Sequence, residues 1–202
     1  MPTSVIELFE EANLSFDGPQ KWGQIIQVNE PGVYVISLSE NAADKANCLL
    51  KNAPIEQKIV KNWIERVSRL KIDKSLQSTQ ALVNRLSEFW LPDEPILYIG
   101  NTPKRTIAKR VQECYVYVLG DSSQHRGGHW LKTLKILEEL YIFWAITKKY
   151  EHYKKRLLEI FIDNVSTETK ELLYDPFLPL PFANLELSKD RRKNHGISGQ
   201  TN

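Results

Sequence analysis

Three strand-length apolar runs stand far apart in this chain, with helical patterns between them. The first is Gly32-Val33-Tyr34-Val35-Ile36-Ser37-Leu38, which opens after Pro31 and ends in the polar Ser39-Glu40-Asn41. Its β-branched content marks a strand. The second is Ile96-Leu97-Tyr98-Ile99, bounded by Pro95 and Gly100. The third, Tyr141-Ile142-Phe143-Trp144-Ala145-Ile146-Thr147, is continuously apolar and rich in aromatics, as a buried central strand is. Strands interleaved with helices, the first two far apart in sequence, indicate a mixed α/β domain.

The helical patterns follow the 3.6-residue period. Val5 to Ala12 reads as a short amphipathic helix, followed by a turn at Gly18-Pro19. After Pro54, a residue suited to a first helical turn, Ile55, Ile59, Val60, Trp63, Ile64, Val67 and Leu70 form one stripe. Leu76, Leu82, Val83, Leu86 and Trp90 form a second that stops before Pro92. Both stripes, with Trp63 and Trp90, read as core. Ile107 to Val118 suggests another helix, residues 121–128 a polar loop, and Trp130 to Leu140 a further helix. A long charged helix is expected over Lys149 to Val165, then an extended Pro-rich segment from Pro176 to Leu187.

A chain of 202 residues is at the upper end of one ordinary domain and can bury its own core. Residues 1–187 are expected to form that domain, with a helical insertion at about 40–92. Residues 188–202 are rich in Lys and Arg and nearly devoid of apolar side chains, so they are expected to be a disordered basic tail. Two cysteines, Cys48 and Cys114, argue against a disulfide scaffold and fit a reducing, cytoplasmic setting. No apolar run approaches the roughly 20 residues of a membrane span, and the N-terminus lacks the basic segment of a secretory signal. With 27 basic and 25 acidic residues, the net charge neither demands nor excludes nucleic acid, because a local patch is what phosphate contacts need.

There is no phosphate-binding P-loop, no GxGxxG followed by a helix, no CxxC, no HExxH and no GxSxG. His125 and His129 are four apart, but Gly127 and Gly128 between them disfavour a helix, and no soft ligands stand nearby. What remains are tyrosines, an arginine and carboxylates at element ends. Tyr34 and Tyr98 sit in strands, and Lys104, Arg105, Lys109 and Arg110 open the helix after Tyr98. Cations at a helix N-terminus suit phosphate.

The order of these pieces resembles the GIY-YIG nuclease family. Its two naming triplets correspond to Gly32-Val33-Tyr34 and Tyr98-Ile99-Gly100, and Ile107-Ala108-Lys109-Arg110 matches its apolar residue three positions before an arginine. The strand at Tyr141 to Thr147, the helix at Lys149 to Val165 and Pro181-Phe182-Ala183-Asn184 continue the pattern, and His125-Arg126-Gly127-Gly128 is similar to a His-x-Gly-Gly segment of small bacterial members. The resemblance implies a three-stranded antiparallel sheet flanked by helices, and an endonuclease that cleaves DNA with one Mg²⁺ or Mn²⁺, as in restriction, repair or defence. It implies Tyr34 as the water-handling residue, Tyr98 as its partner, Arg110 as the phosphate clamp and Asn184 as an orienting residue. A forked guanidinium and a metal both suit the negative charge of a phosphoryl transition state.

Three departures qualify the match. The middle residue of the first triplet is Val33, and Asn101 replaces a frequent lysine after Gly100, a charge Lys104 could supply. The family's glutamate precedes two apolar residues by three and four positions, and Leu157-Leu158 put Lys154 there. Glu159 is followed by Ile162 but Asp163, and Glu151 lies one turn before Lys154. Glu159 is therefore expected as the metal ligand, with Glu151 the alternative. A chain that has lost the ligand would instead be a nucleic-acid-binding module on the same fold.

Overall fold

The computed structural model describes residues 2–45, 50–121 and 126–200. Cys48 and His125 lie outside them. The centre is a four-stranded antiparallel sheet in the order β1-β6-β2-β5, built from β1 (Asp17–Lys21), β2 (Gly32–Ser37), β5 (Ile96–Asn101) and β6 (Tyr141–Ile146). The three apolar runs of the sequence are β2, β5 and β6, with β6 inside the sheet as its composition requires. The sheet implied by the resemblance had three strands. The fourth, β1, was expected as a turn and connector, because Asp17-Gly18-Pro19-Gln20-Lys21 has no apolar residue. It pairs with β6 at Asp17, Gln20 and Lys21, with an irregularity between. A proline is tolerated on such an edge.

Side chains alternate across the sheet, so it separates two cores. Val33, Val35, Ile99, Phe143 and Ala145 face one, packed against α1 (Val5–Glu11) and α5 (Tyr150–Asn164) through Leu8, Phe9, Leu157, Leu158 and Phe161. Tyr34, Ile36, Tyr98 and Trp144 face the other. There they meet α2 (Gln57–Arg66), α3 (Thr79–Ser87) and α4 (Ile107–Val116) through Trp63, Leu82, Leu86 and Val111. The helix ends are set locally. Ser4 and Glu7 form a capping box at α1, Ser78 accepts from Ala81 N at α3, and Thr106 accepts from Lys109 N at α4. Among the described residues no helix is long and apolar enough to cross a membrane.

The insertion between β2 and β5 contains α2 and α3, joined by the short hairpin β3 (Lys71–Ile72) and β4 (Ser75–Leu76). The helix expected over Trp130 to Leu140 is instead two 3₁₀ segments, Arg126–Thr133 and Leu137–Glu139. After α6 (Thr167–Leu172), the chain does not run out into a disordered tail. Strands β7 (Glu186–Ser188) and β8 (Arg191–Arg192) form a hairpin, and β9 (Ile197–Ser198) pairs with β3. Buried Ile197 and the hydrogen bond from Trp63 Nε1 to the Gln200 carbonyl (2.9 Å) pin this strap to the insertion. Charge-rich composition hid these anchors.

Candidate functional site

The two glycine-bearing triplets meet across the β2–β5 pair. Tyr34 is the register partner of Gly100 and Ile36 that of Tyr98, so both phenols fall on one sheet face. Their ring centroids are 5.9 Å apart. The Tyr34 ring lies directly over Gly100: a Cβ there would come within 2.3 Å of Tyr34 Cζ and 2.6 Å of its hydroxyl oxygen. Gly32 is as constrained, since a Cβ would stand 2.1 Å from the Ala145 carbonyl oxygen of β6. Both glycines mark close approach rather than a turn.

The tyrosines differ in surroundings. Tyr34 is 1 % exposed, and its hydroxyl sits 3.6 Å from Cys114 Sγ of α4. Burial, reinforced by Cys114 and Tyr98, holds its pKa well above the usual phenol value against the pull of Arg110. The expected water-handling role requires access that this hydroxyl lacks. Tyr98 does line a cleft, and burial pushes its pKa up to about 12. Both phenols are therefore protonated near neutrality, suited to donating hydrogen bonds rather than accepting protons.

The cleft, about 730 Å³, lies along the β5 edge of the sheet and is lined by Tyr98, Asn101, Arg110, Lys154, Asn184, Glu186 and residues of the C-terminal strap. Helix α4 brings Arg110 from one face of the sheet, with Glu113 Oε2 at 3.7 Å; Arg105 holds the same Glu113 carboxylate in an ion pair. Helix α5 brings Lys154 from the other face, because Leu157 and Leu158 are locked in the core shared with α1. Burial lowers the Lys154 pKa; Glu186 opposes that shift and Arg110 adds to it. Both charged groups line the same cleft as Lys154.

Asn184 is 2 % exposed and its amide is committed to β5: Oδ1 accepts from Ile99 N at 2.8 Å and Nδ2 donates to the Ile99 carbonyl at 2.9 Å. Together with Ala183 N donating to Leu97 O at 2.9 Å, this seals the outer edge of the strand. Asn184 thus fixes the strand that carries Tyr98 and Asn101 rather than reaching for a phosphate.

The carboxylates expected from α5 are elsewhere. Glu159 pairs with Lys155 at 3.7 Å, and Glu151 is exposed in the first turn; neither lines the cleft. Lys104 is exposed in the turn after β5, also outside the lining. His129 is buried with its ring 4.7 Å from that of Tyr117.

The strap contributes groups that sequence reasoning missed. Glu186 is the one carboxylate among the lining residues, ion-paired with Arg192 at 3.3 Å. Lys193 is 5 % exposed, with Nζ donating to the carbonyls of Pro181 (3.1 Å) and Phe182 (3.0 Å) and lying 5.2 Å from the Trp130 ring. Burial lowers its pKa to about 7, with Asp175 opposing the shift. His195 accepts from Ile197 N at its Nδ1 (2.9 Å), and burial, with Lys193 and Arg85, lowers its pKa to about 4. The apolar spacing of Leu185, Leu187 and Ile197 was the available signal that this segment packs.

A divalent cation needs several hard oxygen ligands. The cleft offers one carboxylate, already ion-paired, beside an ammonium and a guanidinium. Among the described residues no group of three or more His, Cys, Asp or Glu side chains is placed to hold a metal. This donor set does not fit the metal that the resemblance implies. No family model matches the chain, nor does any curated protein or solved structure.

Proposed function

We propose that the cleft beside β5 binds the phosphodiester backbone of a nucleic acid, DNA being the partner implied by the resemblance. The observation that carries this reading is the convergence of Arg110 and Lys154, from helices on opposite faces of the sheet, onto one cleft that Tyr98 also lines. A planar guanidinium and a compact ammonium present donors of two geometries to phosphate oxygens, and a protonated phenol adds another. Arg192 adds a further positive charge along the same wall, paired with Glu186. The test is the salt dependence of binding to a labelled duplex. Each phosphate neutralised contributes about −0.9 to the slope of log K against log salt, so Arg110→Gln should flatten it by about one unit. No measurable binding at low salt would overturn the reading.

A second reading, hydrolysis of the bound phosphodiester, draws on Glu186, a carboxylate near enough to influence both Tyr98 and Lys154. Nicking of supercoiled plasmid in Mg²⁺, Mn²⁺ and EDTA tests it. DNA left intact in all three reduces the function to binding.

A further inference from the structure

The charge arrangement around Lys154 reaches beyond the binding reading while resting on it. The register of α5 fixes this residue at the cleft: Leu157 and Leu158, three and four positions on, are fully buried. Glu159 is five positions away, about 140° round an ideal helix, and pairs with Lys155 instead. A cation entering the cleft meets the Lys154 ammonium and the Arg110 guanidinium, with Glu186 already engaged by Arg192. An anion meets the converse. It finds two cations: Arg110, which Glu113 faces at 3.7 Å, and Lys154, whose charge burial and Arg110 disfavour and Glu186 favours.

We propose that the Lys154 ammonium is the cleft's own fixed cation: it takes a phosphate oxygen directly beside Arg110, so phosphodiester binding here is independent of divalent metal. Arg110 provides the fork, and Lys154 the point charge that a bound metal would otherwise bring. Phosphate entry replaces like-charge repulsion with two charge-assisted contacts. The same ammonium excludes a divalent ion from the neighbourhood of Glu186.

Two measurements on the chain of 202 residues test this. Binding of a fluorescein-labelled duplex DNA is followed by anisotropy at constant ionic strength, in EDTA and in Mg²⁺. Retention of Mn²⁺ by the protein alone is followed by electron paramagnetic resonance. The parent should bind DNA equally well in both buffers and retain no Mn²⁺. Lys154→Met should weaken binding and flatten the salt slope by about one unit. Lys154→Glu should bind poorly in EDTA, recover part of its affinity in Mg²⁺, and retain Mn²⁺ beside Glu186. Circular-dichroism melts of both variants separate lost folding from lost contacts. A parent that binds DNA only with Mg²⁺, or that retains Mn²⁺ and loses it on Glu186→Gln, overturns the proposal. A parent that binds no DNA in either buffer overturns the phosphodiester reading instead, and the Mn²⁺ comparison still decides whether Lys154 excludes the cation.

Discussion

The two edges of the central sheet are closed in different ways. At one edge β1 is short, mostly exposed and interrupted by Pro19, and its polar side chains face water. At the other, β5 is buried from Ile96 to Gly100; the Asn184 amide occupies the Ile99 backbone, and the strap from Glu186 to Gln200 folds over it. Brevity and polarity protect the first edge from mispairing. Sealing the second with side chains instead of a further strand leaves a cleft in which charged groups from α4, α5 and the strap gather. An edge closed by side chains can carry chemistry that an edge left to solvent does not.

The strongest challenge to this contrast is removal of residues 188–202. That deletion strips β8, β9, Lys193 and the buried Ile197 from the β5 side. The expected loss is on the order of 3 kcal/mol or more, since burial of an Ile side chain alone is worth about 2–5 kcal/mol to truncation. Chemical denaturation read by circular dichroism measures it. A truncated chain as stable as the parent would mean that the strap is not part of the fold.

The edge clamp comes next. Asn184→Ala orphans the N–H and the carbonyl of Ile99 at once, and should cost about 2 kcal/mol. Gln20→Ala on β1, where the side chain bonds only an exposed neighbour, should stay within about 0.5 kcal/mol. Equal effects at the two positions would erase the distinction between the edges.

Lys193 sharpens the contrast through pH. Its folded pKa of about 7 is below the ordinary lysine value of 10.5, so between these limits the unfolded chain binds a proton that the folded chain does not. Stability from this residue therefore rises with pH across that window, by at most about 1.4 kcal/mol per unit. The difference in unfolding free energy between the parent and Lys193→Met should grow in the parent's favour from pH 7 to pH 10. A flat difference would show that the amine keeps its charge in the folded state.

The same two edges explain what was legible in the sequence. Strands β2, β5 and β6 announce themselves through dense β-branched and aromatic residues, and the pairing of Tyr34 with Gly100 is foreshadowed by the two triplets. Tyr98, Arg110 and Asn184 could be placed near one site from the order of motifs, and the Leu157-Leu158 frame flagged Lys154. Strand β1 could not be seen, because pairing with β6, not local propensity, makes it a strand. The strap was equally hidden. Arg191-Arg192-Lys193 reads as solvated, yet Lys193 is buried on the Pro181 and Phe182 carbonyls, a contact that only the tertiary fold creates. For that reason Glu186 and His195 escaped notice, while Glu159 and Glu151, on a helix with an obvious apolar stripe, attracted it.

The central claim is that the β5 edge, through Arg110 and Lys154, takes a nucleic-acid phosphate backbone. The salt slope of duplex DNA binding tests it most directly, with parent, Arg110→Gln/Lys154→Met and Lys21→Gln on β1 compared side by side. The account predicts that the double variant loses about two units of slope, while the Lys21 variant stays close to the parent. A double variant with the parent's slope, or a Lys21 variant that loses as much, would contradict it.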